Sequence, residues 1–202
     1  MGRPRTSSIV ILYRVTIYNT SMLQSEVGSA KLTPAHSFPA RGRLMCDFTL
    51  PSAEGEQVSL YDYRGHSNLV LFFAGEAADL RENGFLSTLV QRYSEMRGQD
   101  SEILVVLACS REQAERAKHQ VQLPFPVLAD QDRQIHKSVG AVVVQAVPAS
   151  AVYVTDRFLE VYATWRTAQG DNLPGVSEVL SWLAYIESEC PECTQAEWPR
   201  DD

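Results

Sequence analysis

Two nearly unbroken apolar runs of strand length constrain this chain more than any other feature. They are Asn68-Leu69-Val70-Leu71-Phe72-Phe73-Ala74 and Ile103-Leu104-Val105-Val106-Leu107-Ala108. A strand with one wet face alternates apolar and polar residues, so a run that is apolar throughout needs cover on both faces. Crossover helices provide such cover in sheets with a parallel centre. Between the runs, Phe85, Leu86, Leu89, Val90, Tyr93 and Met96 recur at helical spacing, and Gly98 ends that helix. Ser110 follows the second run with Gln113 three residues on, a capping-box pattern opening a helix that reaches about Gln120.

Shorter elements flank this centre. Phe48-Thr49-Leu50 reads as a strand stopped by Pro51, residues 52–56 as a turn, and Val58-Ser59-Leu60 as an edge strand. Residues 61–64 form a loop with Gly65 as its turn residue. Phe125-Pro126-Val127-Leu128 is short and extended, and residues 131–139 form a short helix closed by Gly140. Ser150-Ala151-Val152-Tyr153-Val154 is a third strong strand. Asp156-Arg157 turns the chain, and residues 159–165 pair back as a hairpin. Val176, Val179, Leu180, Leu183, Ala184 and Ile186 make a closing amphipathic helix. The predicted class is α/β: a mixed sheet with a parallel centre, right-handed crossovers, a C-terminal antiparallel hairpin and helices on both faces. That is the arrangement of the thioredoxin-like fold.

With 202 residues, 45% of them hydrophobic, the chain can build one substantial core. The domain is expected over residues 43–188. Residues 1–42 show no sustained period and hold Pro34, Pro39 and Gly42, so they read as a poorly ordered arm. Arg3 and Arg5 before Ile9-Val10-Ile11-Leu12-Tyr13 loosely echo a signal peptide, but the run is short and Arg14 interrupts it. The plainer expectation is that residues 1–21 are a tail, with Met22 an alternative start. Residues 189–202 form an acidic tail. A net charge of −7 without any basic stripe argues against nucleic acid or an anionic membrane as partner. No stretch approaches the ~18 uninterrupted apolar residues of a membrane span.

Several segments together resemble the peroxiredoxins, in their alkyl hydroperoxide reductase and thiol-specific antioxidant (AhpC/TSA) branch. Asp47-Phe48-Thr49-Leu50-Pro51, Val58-Ser59-Leu60 and Tyr63-Arg64-Gly65 are similar to that family's opening. Leu69 to Phe73 resembles its strand leading to the active site. Leu123-Pro124-Phe125-Pro126-Val127-Leu128-Ala129-Asp130 resembles the stretch before its short helix. Val147-Pro148-Ala149-Ser150, followed by Tyr153-Val154-Thr155-Asp156, resembles the loop and strand after it. The resemblance covers roughly residues 44–188 and implies a thiol-dependent antioxidant oxidoreductase without a bound cofactor or metal. It further implies a thiol reductant or protein partner, and a homodimer.

The chain departs from that family at one decisive place. The family signature is a Pro-x-x-x-Thr-x-x-Cys loop at the start of the helix after the first buried strand, where the helix N-terminus stabilises the attacking thiolate. Here the loop reads Gly75-Glu76-Ala77-Ala78-Asp79-Leu80-Arg81-Glu82-Asn83, with no Pro, Thr or Cys. Glu82 stands about where the thiolate would be. A carboxylate cannot reduce a peroxide, so Glu76, Asp79 and Glu82 mark a vacant active-site loop. Asp79 and Glu82 read as charges that suit the positive end of a helix.

Four cysteines remain: Cys46, Cys109, Cys190 and Cys193. This is no dense disulfide framework, so a reducing cytoplasm is expected. Cys190-Pro191-Glu192-Cys193 is the paired set, and its spacing lets two sulfurs meet in a disulfide. Glu187, Glu189 and Glu192 surround it and would slow a thiolate. The pair could instead supply half of a four-cysteine zinc site, completed by Cys46, Cys109 or a dimer mate, or have no role. Cys109 ends the second buried strand and could sit near the vacant loop, although a small buried apolar role suits it too. Cys46 reads as packing. In thioredoxin-like folds the proline preceding this strand, here Pro148, is typically cis and borders the substrate groove, so Val147 and Pro148 are either the contact for a partner's backbone or a purely structural turn. His36, His66, His119 and His136 have no metal-ligand spacing and read as surface residues. Arg166 ends the last strand and could point at the active-site end. The expected function is a peroxiredoxin-like redox protein with atypical cysteine placement at Cys190, Cys193 and Cys109. The alternatives are a non-catalytic binding protein on the same scaffold and a zinc-tethered dimer.

Overall fold

The computed structural model describes residues 38–75, 80, 83–141, 149–167 and 173–189. Its elements are β1 (Thr49–Pro51), β2 (Gln57–Ser59), β3 (Asn68–Ala74), α1 (Gly84–Arg97), β4 (Ser101–Leu107), α2 (Arg111–Val121), β5 (Val127–Ala129), α3 (Gln134–Ser138), β6 (Ser150–Thr155), β7 (Val161–Thr167) and α4 (Val176–Ser188). A five-stranded sheet has the order β5-β4-β3-β6-β7. The pairs β3–β4 and β4–β5 are parallel, whereas β3–β6 and β6–β7 are antiparallel. The parallel centre and terminal hairpin expected from the sequence are therefore both present.

Burial explains why the two apolar runs are unbroken. Every residue of β3 is buried. Val70, Phe72 and Ala74 share a cluster with Leu86 and Leu89 of α1, Ala114 and Ala117 of α2, and Val179 and Leu183 of α4. Leu69, Leu71 and Phe73 face a second cluster with Leu60, Met45, Phe48 and Val139. Alternate residues of β4 divide the same way, with Ile103, Val105 and Leu107 on the helical side and Leu104 and Val106 on the other. The central strands thus carry two cores back to back.

Three boundaries moved for local reasons. β1 and β2 form their own antiparallel hairpin, and Ser59 caps a 3-10 turn at Leu60–Tyr63 where an open loop was expected. The hairpin strand begins at Val161 because Asp156 Oδ1 accepts the N–H groups of Phe158 and Glu160 at 2.9 and 2.8 Å, which holds the corner. Leu159 in that corner has φ 72°, outside strand geometry. At the other end of the chain, residues 38–42 of the expected arm are tied to the domain. Gly42 N–H bonds the Val161 carbonyl, and the Arg41 guanidinium lies over the Trp182 ring. Among the described residues, no helix is long and apolar enough to cross a membrane.

α2 opens on the predicted capping box. Ser110 Oγ accepts the Gln113 N–H, and Gln113 Oε1 accepts the Ser110 N–H at 2.9 Å. Phe72 is fully buried and meets Phe85 edge-on at 5.3 Å. Phe72→Ala is expected to cost ~3–5 kcal/mol, and Ser110→Ala ~1 kcal/mol. Urea titrations read both as lower midpoints with an unchanged slope.

Candidate functional site

The C-terminal ends of parallel strands are where open α/β sheets place their crevices. Here Ala74, Leu107 and Ala129 end β3, β4 and β5 on one edge. The antiparallel pairing brings the start of β6 and the end of β7 to that same edge, with Ala151 opposite both Phe73 and Arg166. Arg166 therefore does stand at this end. Its guanidinium lies 4.9 Å over the Phe38 ring. It also approaches Gly140, whose positive φ of 70° strains a larger residue and where a Cβ would meet the Phe38 ring and the Arg166 guanidinium at 3.0 Å.

The connection from β3 to α1 is described at Gly75, Leu80 and Asn83. Leu80 is buried in the helical-side cluster. Asn83 caps α1, its Oδ1 accepting the Leu86 N–H at 3.0 Å, and no acid lies in the first turn. A neutral amide therefore satisfies part of the helix end that could otherwise stabilise an anion. Glu76, Asp79 and Glu82 lie outside the described residues.

A buried aspartate–histidine pair lies at the end of β3. His136 is fully buried and Asp130 is 2% exposed. Asp130 Oδ2 lies 2.7 Å from His136 Nδ1 and also accepts the His136 backbone N–H at 2.8 Å, while Oδ1 accepts the Gln134 N–H at 3.0 Å. His136 Nε2 sits 3.1 Å from the Ala74 carbonyl oxygen, and Phe73 meets the imidazole edge-on at 5.6 Å. Burial alone would raise the Asp130 carboxyl. The side-chain and backbone hydrogen bonds from His136 outweigh it and hold the carboxyl below its ordinary value.

The surface placement expected for His136 is corrected. A one-turn helix is too short for its sequence to show which face is buried. His66 and His119 are exposed as expected. Cys46 is corrected in the opposite direction: it is exposed, with Sγ 3.8 Å from Ser138 Oγ, and does not pack in the core.

Cys109 follows the end of β4, next to the last residue of β3. The Ala108 N–H before it bonds the Ala74 carbonyl at 3.3 Å. Its side chain belongs to the helical-side core. Burial pushes its thiol up to about 11, against a small opposing pull from Arg116. Little thiolate forms there at neutral pH, so the residue is poorly suited to attack a peroxide. Cys190, Cys193, Val147 and Pro148 lie outside the described residues. Among the described residues no cluster of three His, Cys, Asp or Glu side chains could hold a metal.

Two measurements check this account. With the other three cysteines changed to Ser, alkylation of Cys109 at neutral pH should run roughly a hundredfold slower than that of a free thiol, and urea should abolish the difference. Asp130 contributes stability above the ordinary carboxyl value, ~3.9, which is lost as pH falls through its lowered value in the fold. Urea midpoints of the native chain should therefore drop on acidification below about pH 4. Asp130→Asn should lack that component.

Comparison with known proteins agrees with this geometry. The AhpC/TSA family model matches residues 42–164. A Mycobacterium tuberculosis protein named "Putative peroxiredoxin" is 31% identical over 125 residues, covering 56% of this chain and 67% of its own. Among solved structures, Mycobacterium tuberculosis AhpC superposes with a TM-score of 0.65 at 18% identity, over 78% of this chain and 99% of its own. The reduced 2-Cys peroxiredoxin of Plasmodium vivax does so with 0.64 at 16% identity, over 73% and 96%. The structural likeness establishes the thioredoxin-like fold, and the sequence match supplies the kinship. This chain belongs to the AhpC/TSA family, as a peroxiredoxin-like protein.

Proposed function

We propose that the protein is a thiol-dependent redox protein whose chemistry has moved from the usual loop to the C-terminal Cys190 and Cys193. Family membership supports the redox class. One observation carries the relocation: no cysteine occupies residues 75–89, and the cysteine that flanks this loop, Cys109, is buried with its thiol pushed up to about 11. That leaves the C-x-x-C as the paired thiols able to close a disulfide.

In this reading a Cys190 or Cys193 thiolate attacks one peroxide oxygen. The O–O bond breaks, releasing water or an alcohol and leaving a sulfenic acid. The second thiol attacks the sulfenic sulfur, the sulfenic hydroxyl leaves as water, and an S–S bond forms. An external thiol reductant returns the pair to the dithiol in a reducing, cytoplasmic setting. Val147 and Pro148 are the proposed contact for the reductant or another partner chain, and a homodimer is the proposed assembly. Cys109 would at most support the pair.

The experiment is peroxide consumption coupled to a dithiol reductant. The native chain should turn over, and Cys190→Ser and Cys193→Ser should each lose at least about tenfold, whereas Cys109→Ser should keep most of the activity. Absence of turnover in the native chain, with slowly reacting thiols, would favour a non-catalytic binding protein on the same scaffold. Zinc at one ion per two C-x-x-C motifs would favour a tethered dimer.

A further inference from the structure

We propose that Asp130 and His136 form a proton-dependent clamp that fastens the C-terminal end of β3 to α3 and releases it when the imidazole loses a proton. The inference rests on hydrogen-bond directions and is independent of which cysteines react.

Both oxygens of Asp130 already accept backbone N–H groups, Oδ1 from Gln134 at 3.0 Å and Oδ2 from His136 at 2.8 Å. The side chain is therefore an acceptor, and His136 Nδ1, 2.7 Å from Oδ2, must be the donor. Nε2 faces the Ala74 carbonyl oxygen at 3.1 Å, which is also an acceptor. A neutral imidazole carries one N–H and can serve one of these partners. Only the imidazolium serves both, and the buried Asp130 carboxylate balances its charge.

The consequence of losing the proton falls on one side. The carboxylate is the stronger acceptor, so Nδ1 keeps its hydrogen. The Nε2 lone pair is then left against the Ala74 oxygen. Ala74 would retain only the longer bond from the Ala108 N–H, 3.3 Å. Ala74 is the last residue of β3, and the chain leaves it towards Leu80 and α1. A proton on His136 thus decides whether the root of the vacant loop is held from two sides or one.

Among the described residues, the following titratable or charged groups lie around the ring or flank it in sequence. Asp130 after β5 is the titratable side chain bonded to the ring. Tyr153 of β6 donates its hydroxyl to the Val139 carbonyl, and Cys46 before β1 lies beside Ser138. Arg166 of β7 approaches Gly140, and Cys109 lies past the end of β4. Arg133 and Lys137 flank the ring in sequence and are exposed.

The test uses the full chain labelled with nitrogen-15, followed by NMR from mildly acid to strongly alkaline pH. At neutral pH both His136 ring nitrogens should carry protons. As Nε2 loses its proton, the exchange protection of the Ala108 amide should fall roughly fivefold or more, the order of one lost hydrogen bond, after correction for intrinsic exchange. Asp130→Asn should move that fall to lower pH. His136→Gln should lower the protection and make it independent of pH. If neither variant folds, the native spectra still decide. A neutral His136 ring in a single tautomer at neutral pH would overturn the clamp. So would Ala108 protection that stays level while the ring titrates.

Discussion

Burial of β3 on both faces is the constraint from which the rest of the structure follows. A seven-residue strand without a solvated side must have helices on one face and a second layer on the other. Crossovers through α1 and α2 supply the first. The β1–β2 hairpin, the 3-10 turn and α3 supply the second. Closing the layers fixes where β3 ends, and with it the edge at which β4, β5, β6 and β7 present their terminal residues. The candidate site is the outcome of that packing, since nothing in its loop sequence specifies it.

The chain keeps the thioredoxin-like fold, and the segment between β3 and α1 contains no cysteine. The N-terminus of α1 is capped by an asparagine amide. The Cys109 thiol is part of the core, and burial suppresses its ionisation. Asp130 and His136, buried at this edge, are bonded to each other and to backbone. Their bonds tie the start of α3 to the end of β3. Fold similarity alone does not assign a reaction.

Most of the fold was legible because its signals are periodic. The apolar run at Asn68–Ala74 gave its strand without error, and Ser110 with Gln113 gave the cap of α2. Short or single-residue features were not legible. Leu159 at positive φ and the Asp156 carboxylate delayed β7 by a local hydrogen-bond pattern that no window average detects. His136 is buried by the close of α3 against Phe73, a long-range contact without a sequence period. Cys46 looked like core by residue type, yet its backbone position turns it outward beside Ser138. The vacancy in the loop was plain from residue identity, because a missing cysteine needs no geometry to be seen.

The relocation of the thiol chemistry is tested most directly by mapping the products of a single oxidation. One equivalent of peroxide is added to the fully reduced chain, and the cysteines are assigned by peptide mass spectrometry. The account predicts a Cys190–Cys193 disulfide with Cys109 still reduced. Oxidation recovered first at Cys109 or Cys46, or four unreacted thiols with the peroxide intact, would contradict it.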